Sequence, residues 1–277
     1  MRRSWLFVPG ADAAAHEAAA RSGADVVILE LEDFTPPQLR ALARRLSARA
    51  FKRWRAAGAV AAARINPFET CGEEDLAGLA RPDLLMMSKV DSPDQVRRLA
   101  EAVPEGVELV PNIESARGLL RIGEIAASSN RVSALLVASE DMVADLGTER
   151  SRGGEELAYV RARFLVECRA AGVEAIDAPY TFSDVKGAVA DARYAKRLGY
   201  RMKSLVDPSH ARGINKVLTP DLAKARKIVA AFEKARAQGK ERARVGGALI
   251  EMPIYAAARR VVESAGRSSP PARKRRR

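Results

Sequence analysis

Eight short, almost unbroken apolar runs recur along this chain, at residues 4–8, 24–32, 59–65, 84–90, 108–114, 134–139, 174–179 and 201–206. A strand with one face in water alternates apolar and polar residues. A continuous run belongs instead to a strand buried on both faces, as in a parallel sheet covered by helices. Between the runs, segments 93–102, 115–127, 155–171 and 183–198 place apolar residues at helical spacing. Two of them lead into Gly172 and Gly199, glycine being the usual residue just past a helix C-terminus. Strand–helix alternation repeated eight times within about 210 residues predicts an α/β fold, a TIM (β/α)8 barrel, with an open doubly wound sheet as the alternative. No GxGxxG follows the first run, which disfavours the dinucleotide-binding form of the open sheet.

The barrel pattern spans 1–218. Beyond it, 219–239 reads as a helix with Thr219 as cap and Pro220 at the first helical position. An apolar turn element at 246–253 and a last helix at 254–265 follow. No linker separates a second folded domain, so 219–265 is expected to be a C-terminal helical segment of the same domain.

Charge narrows the function classes. The chain of 277 residues carries a formal +12, but six basic residues and no acid fall in 266–277, leaving +6 for the rest. A Ser/Pro-led block of like charge reads as a solvated, disordered tail. Basic stretches at 40–55 and 234–244 read as helix faces. With few aromatics to stack bases and no nucleic-acid motif, a basic surface that receives an anionic substrate is the better reading. No run approaches the roughly 18 apolar residues of a membrane helix, and four apolar residues before Pro9 are too few for a signal peptide. Cys71 and Cys168 lack CxxC spacing, so no disulfide framework or zinc site is expected, and a cytoplasmic location follows.

In a parallel barrel, chemistry gathers where the strands end. Here the runs end in Glu30, Glu32 and Asp33; in Arg64 and Asn66; in Lys89; in Glu114; and in Glu140 and Asp141, while Asp177, Lys203 and Asp207 mark the last two. Ionised groups brought together on one rim must be paired or bound to a cation. Glu114 and Asp141, on consecutive strands, are candidate ligands for one Mg2+, which takes one or two carboxylates and fills its other positions with water and substrate oxygens. The only histidines are His16 and His210, in contexts that suit neither a Ser-His-Asp mechanism nor His-ligated zinc.

Order, spacing and residue type resemble the citrate lyase β-subunit-like group of the HpcH/HpaI aldolase/citrate lyase family, which includes malyl-CoA and citramalyl-CoA lyases. The residues concerned are RSWLFVPG (3–10), ADVVILELED (24–33) with Pro37, Arg40 and Ala43-Arg44 behind it, ARIN (63–66) and SKV (88–90). NIESARGL (112–119), SEDMVADLG (139–147), AAGVEAIDAPY (170–180), KSLVDPSH (203–210) and GALIEMP (247–253) complete the set. The resemblance implies a TIM barrel assembled as a homotrimer or hexamer, with the C-terminal segment 219–265 contacting a neighbouring subunit and Mg2+ on Glu114 and Asp141. It also implies Arg64 on the carboxylate or carbonyl of a 2-oxo acid (pyruvate, oxaloacetate or glyoxylate), with Glu32, Asp33 and Lys89 around the substrate. The implied reaction cleaves a carboxylated 3-hydroxyacyl-CoA (citramalyl-CoA, malyl-CoA or citryl-CoA type) to an acyl-CoA and a 2-oxo acid. A free 2-oxo acid aldolase or malyl-CoA thioesterase on the same metal site, and a non-catalytic complex subunit, are the alternatives.

Departures from the family pattern surround these positions. The aspartate that family members place in a neighbouring subunit's site for proton transfer is here Glu251. The LDLED pattern carries Glu30, the following lysine is Arg40, FGxEDL becomes residues 137–142 without its glycine, and IHPxQ becomes 206–210 with Asp207.

Overall fold

The computed structural model of the chain describes residues 1–267, which divide into two compact units, Arg2–Leu218 and the segment from Thr219 onward. In the first, strands β1 (Ser4–Pro9), β2 (Val26–Glu30), β3 (Val60–Ile65), β4 (Leu84–Met87), β5 (Glu108–Leu109), β6 (Asn112–Ile113), β7 (Ala134–Val137), β8 (Glu174–Tyr180) and β9 (Met202–Leu205) form one sheet. Their order is β5-β4-β3-β2-β1-β9-β8-β7-β6. The two ends of that order, β5 and β6, are halves of one strand-like run parted only by Val110 and Pro111. The Val110 amide donates to Leu85 of β4 at 2.9 Å, and Pro111 accepts from Leu136 of β7 at 3.1 Å. The sheet therefore closes around eight positions, as the alternation of runs predicts. Proline has no N–H to give, so the ladder is interrupted at Pro111.

Side chains alternate between the two faces of each strand. Phe7, Ile28, Ala62, Met86, Val110 and Ile176 fill the barrel interior. Their neighbours, such as Leu6, Val27, Ala63 and Leu85, pack outward with Phe51 and Trp54 of helix Arg40–Ala56 and Phe164 of helix Ala158–Ala170. Both faces are buried, which is why the runs read as continuous.

The helices follow the sequence signals, with exceptions. Ser92 and Gln95 form a reciprocal capping box on helix Pro93–Ala102. The segment 115–127 is two helices, Ala116–Leu120 and Ile122–Ala127, because the Arg121 backbone leaves the helical region at φ −113° and ψ 13°.

In the second unit, Asp221 rather than Thr219 caps helix Leu222–Ala237, accepting the Lys224 amide at 2.8 Å. A carboxylate is at least as good a cap as threonine, so the start moves inward. The basic stretch 234–244 is consequently helical only to Ala237. The 246–253 turn element divides into the two-residue turn and second strand of a hairpin, β10 (Ala243–Val245) against β11 (Ala248–Ile250), and the start of the last helix. Gly246 and Gly247 join the strands at φ 57° and 82°, the paired positive angles that a tight hairpin turn demands. Helix Met252–Arg267 follows, longer at both ends than 254–265. It takes in residues 266 and 267, since a helix tolerates glycine at a cost of about 1 kcal/mol. The remainder of the basic tail, 268–277, lies outside the described residues. The core of this unit is Ile228, Phe232, Ile250 and Ala258, with Phe232 stacked on Tyr255 at 4.6 Å. No helix among the described residues is long and apolar enough to cross a membrane.

Candidate active site

Parity along the strands decides which charged residues meet inside the barrel mouth. Glu30 lies two residues beyond inward-facing Ile28, Arg64 two beyond Ala62, and Glu114 four beyond Val110. All three are buried, Arg64 at 6% exposure and Glu114 at 3%.

Glu30 is the anchor. Its carboxylate accepts the amides of Glu32 and Phe34 at 2.6 Å each, which folds the loop after β2 back onto the strand end. It also accepts Arg64 Nε at 2.9 Å. Arg64 then spreads its remaining nitrogens over the mouth, to Glu32 at 3.1 Å, Glu114 at 3.6 Å and Asp33 at 4.0 Å. Its guanidinium lies 4.9 Å above the Phe7 ring, a cation–π contact that fixes its plane. Burial works against the Arg64 charge, but Glu30, Glu32 and Glu114 outweigh it and hold the group more firmly protonated than usual.

Lys89, two residues past β4, brings its ammonium to 2.6 Å from Glu32 and 4.0 Å from Asp141. Its backbone sits at φ 54°, the one non-glycine positive angle among the described residues. Asp141 occupies the first turn of helix Glu140–Asp145, where a negative charge suits the positive end of the helix.

Glu114 differs from Glu30 and Glu32 in having no close ionic partner, the nearest being Arg64 at 3.6 Å. Both carboxylate oxygens are buried, and neither has a hydrogen-bond partner. Burial pushes its carboxyl up to about 8, against the pull of Arg64 and with the push of Glu32 and Asp141. An acceptor-only group held dry beside a second carboxylate calls for a cation. Hard oxygen donors with room for other ligands suit Mg2+. Among the described residues no three His, Cys, Asp or Glu side chains are arranged to hold a metal ion together, so a cation here would rest on two carboxylates and complete its shell with other ligands.

Not all of the charged residues that end the apolar runs reach this rim. Asp177 and Lys203 follow inward-facing Ile176 and Met202, so they point outward, beneath the helices. There Lys203 meets Asp177 at 2.7 Å and Asp191 at 2.5 Å, while Arg161 bonds Asp177 at 2.6 and 2.8 Å and Asp191 at 2.8 Å. Two buried cations and two acids thus neutralise one another in a structural network. Asn66 is likewise occupied, bonding Leu31 and Asp75 at 2.9 and 2.7 Å. Glu251 belongs to the other unit, just before helix Met252–Arg267, and pairs with Arg242 at 3.1 Å. Glu30, which the sequence shows only as an acid at the end of its run, stands directly opposite Arg64 in the β2–β3 register.

The HpcH/HpaI aldolase/citrate lyase family model matches residues 3–208. The chain belongs to this family. It is 30% identical to the citrate lyase subunit beta of Haemophilus influenzae, over 96% of this chain and 97% of that one. It is 31% identical to the L-malyl-CoA/beta-methylmalyl-CoA lyase of Cereibacter sphaeroides, over 95% and 94%. Among solved structures, CitE of Mycobacterium tuberculosis in complex with magnesium, acetoacetate and coenzyme A superposes with a TM-score of 0.76. That match is 28% identical and covers 95% of this chain and 98% of that one. The protein is thus an enzyme of the carbon–carbon lyase class, built on the family's TIM barrel.

Proposed function

We propose that the site at Arg64, Glu114 and Asp141 cleaves a carboxylated 3-hydroxyacyl-CoA, of the citramalyl-CoA, malyl-CoA or citryl-CoA type, into an acyl-CoA and a 2-oxo acid. The observation that carries this reading is the Glu114 carboxylate, buried with both oxygens unpartnered beside the Arg64 guanidinium. Glu114 and Asp141 would hold Mg2+, which when bound supplies Lewis-acid polarisation of the oxo-acid oxygens. The relatives named above and the CitE complex support both the metal and the substrate class.

Arg64 presents a planar fork to the carboxylate of the 2-oxo acid half, and its fixed charge stabilises the alkoxide formed there when the 3-hydroxyl gives up its proton. Glu30 and Glu32 hold that fork in place, and Lys89 adds a second cation on the solvent side. Glu251, supplied by another subunit of a trimer or hexamer, takes the proton from the 3-hydroxyl. The electron pair of the breaking bond passes to the acyl-CoA enolate, which takes that proton back from Glu251 at carbon, leaving acyl-CoA and the free base. The enzyme works in the cytoplasm on this reading.

Incubation with malyl-CoA and citramalyl-CoA, with and without Mg2+, tests the proposal by product analysis. Acyl-CoA together with a 2-oxo acid is expected, lost on Glu114→Gln. Free CoA without oxo acid would make the protein a thioesterase instead, and full activity in Glu114→Gln would remove the metal site from the mechanism.

A further inference from the structure

Beneath Glu114, inside the barrel, lies a polar side chain with no task in the fold. Asn112 of β6 shares the inward face with Val110 and Glu114 and stands opposite Leu136 of β7. It is fully buried, yet neither its amide nitrogen nor its amide oxygen has a hydrogen-bond partner. An amide removed from water and left unpaired costs on the order of 1–3 kcal/mol. An apolar residue such as leucine fills this volume without that cost, so stability alone gives no reason for asparagine here. The amide lies beside the Glu114 carboxylate, whose charge it favours, although no aligned hydrogen bond joins them. The terminal torsion of asparagine is soft, so a small rotation is enough to bring the two into alignment.

We propose that Asn112 is a positioning residue for Glu114, donating its amide N–H to one carboxylate oxygen so that the other is held towards the cation and substrate. Groups that hold a metal ligand from behind fix its orientation, and their loss typically costs 10–100-fold in metal affinity. The inference rests on the reading of Glu114 as a metal ligand, and Asn112 itself touches neither metal nor substrate.

The test uses the full chain with Mn2+ as a spectroscopic probe for the divalent cation. Binding to wild type, Asn112→Leu, Asn112→Asp and Glu114→Gln is measured by electron paramagnetic resonance, alongside thermal midpoints. Asn112→Leu should bind Mn2+ at least tenfold more weakly while melting at the same or a higher temperature, a combination that a merely structural role does not produce. Asn112→Asp has the same shape without the donor; it should also bind at least tenfold more weakly, and it serves in place of the leucine variant should that one not fold. Wild-type Mn2+ affinity in either folded variant overturns the role of Asn112. Undiminished binding in Glu114→Gln overturns instead the metal site on which it rests.

Discussion

Lys89 reaches Glu32 at 2.6 Å from a backbone held at φ 54°, so one of the mouth's two basic groups is placed by a conformation that side chains disfavour. Left-handed backbone costs a residue with a Cβ about 1–2 kcal/mol. Strain of that kind persists where a side chain must be aimed.

Comparing Lys89→Gly with Lys89→Ala isolates that strain. Both variants lose the ammonium, but only glycine relaxes the backbone. In urea unfolding Lys89→Gly should be the more stable by about 1 kcal/mol, and both should lose activity. Equal stability would show that the angle costs nothing.

Glu114 sets a pH dependence with a definite sign. Burial raises its carboxyl in the folded protein to about 8, from an ordinary value of 4.5. The folded state therefore holds this proton more tightly than the unfolded chain. The stabilisation is full below about pH 4.5 and is lost as pH rises through 8. In the presence of chelator, Glu114→Gln should become progressively more stable than wild type across that window, by on the order of a few kcal/mol, and the gap should level off above it. A gap that does not change with pH in urea titrations would contradict the burial of this charge.

The network of Arg161, Asp177, Lys203 and Asp191 predicts a loss of stability without a specific loss of chemistry. Asp177→Asn leaves Lys203 and Arg161 short of an anion in a dry interior, which costs about 3–5 kcal/mol when a buried pair is broken. The urea midpoint should fall sharply, while protein still folded at low denaturant should keep its KM for substrate. A raised KM at unchanged stability would place Asp177 at the site after all.

Glu251 is tested by complementation. Glu251→Gln and Arg64→Ala should each be nearly inactive alone. Mixed and reassembled, they should regain part of the activity, because some sites then combine an intact Arg64 with an intact Glu251. No recovery in mixtures shown to exchange subunits would mean that both residues serve within one chain.

How far the sequence could be read differs between fold and site. Continuous apolar runs are a direct consequence of strands buried on both faces, so the barrel was legible. The runs say nothing, however, about which residue of a pair faces in. Asp177 and Lys203 sit one step out of phase with Ile176 and Met202, and that single step carries them from the mouth to the helix layer. Asn112 was passed over for the converse reason: within a motif it reads as polar punctuation, and only its phase with Glu114 shows that it is sealed inside. The hairpin at Gly246-Gly247 has strands of three residues each, too short for alternation to register.

The break at Pro111 has one more consequence. Because β5 and β6 are two residues each and their ladder skips a rung between them, the closure of the barrel is thinnest at the strand that carries Glu114. A cation held, as proposed, by Glu114 after β6 and Asp141 after β7 would clasp two neighbouring staves of the cylinder beside its weakest join. Its binding would then raise folding stability with the logarithm of free cation concentration. On that reading, filling the mouth and keeping the cylinder shut would be thermodynamically linked.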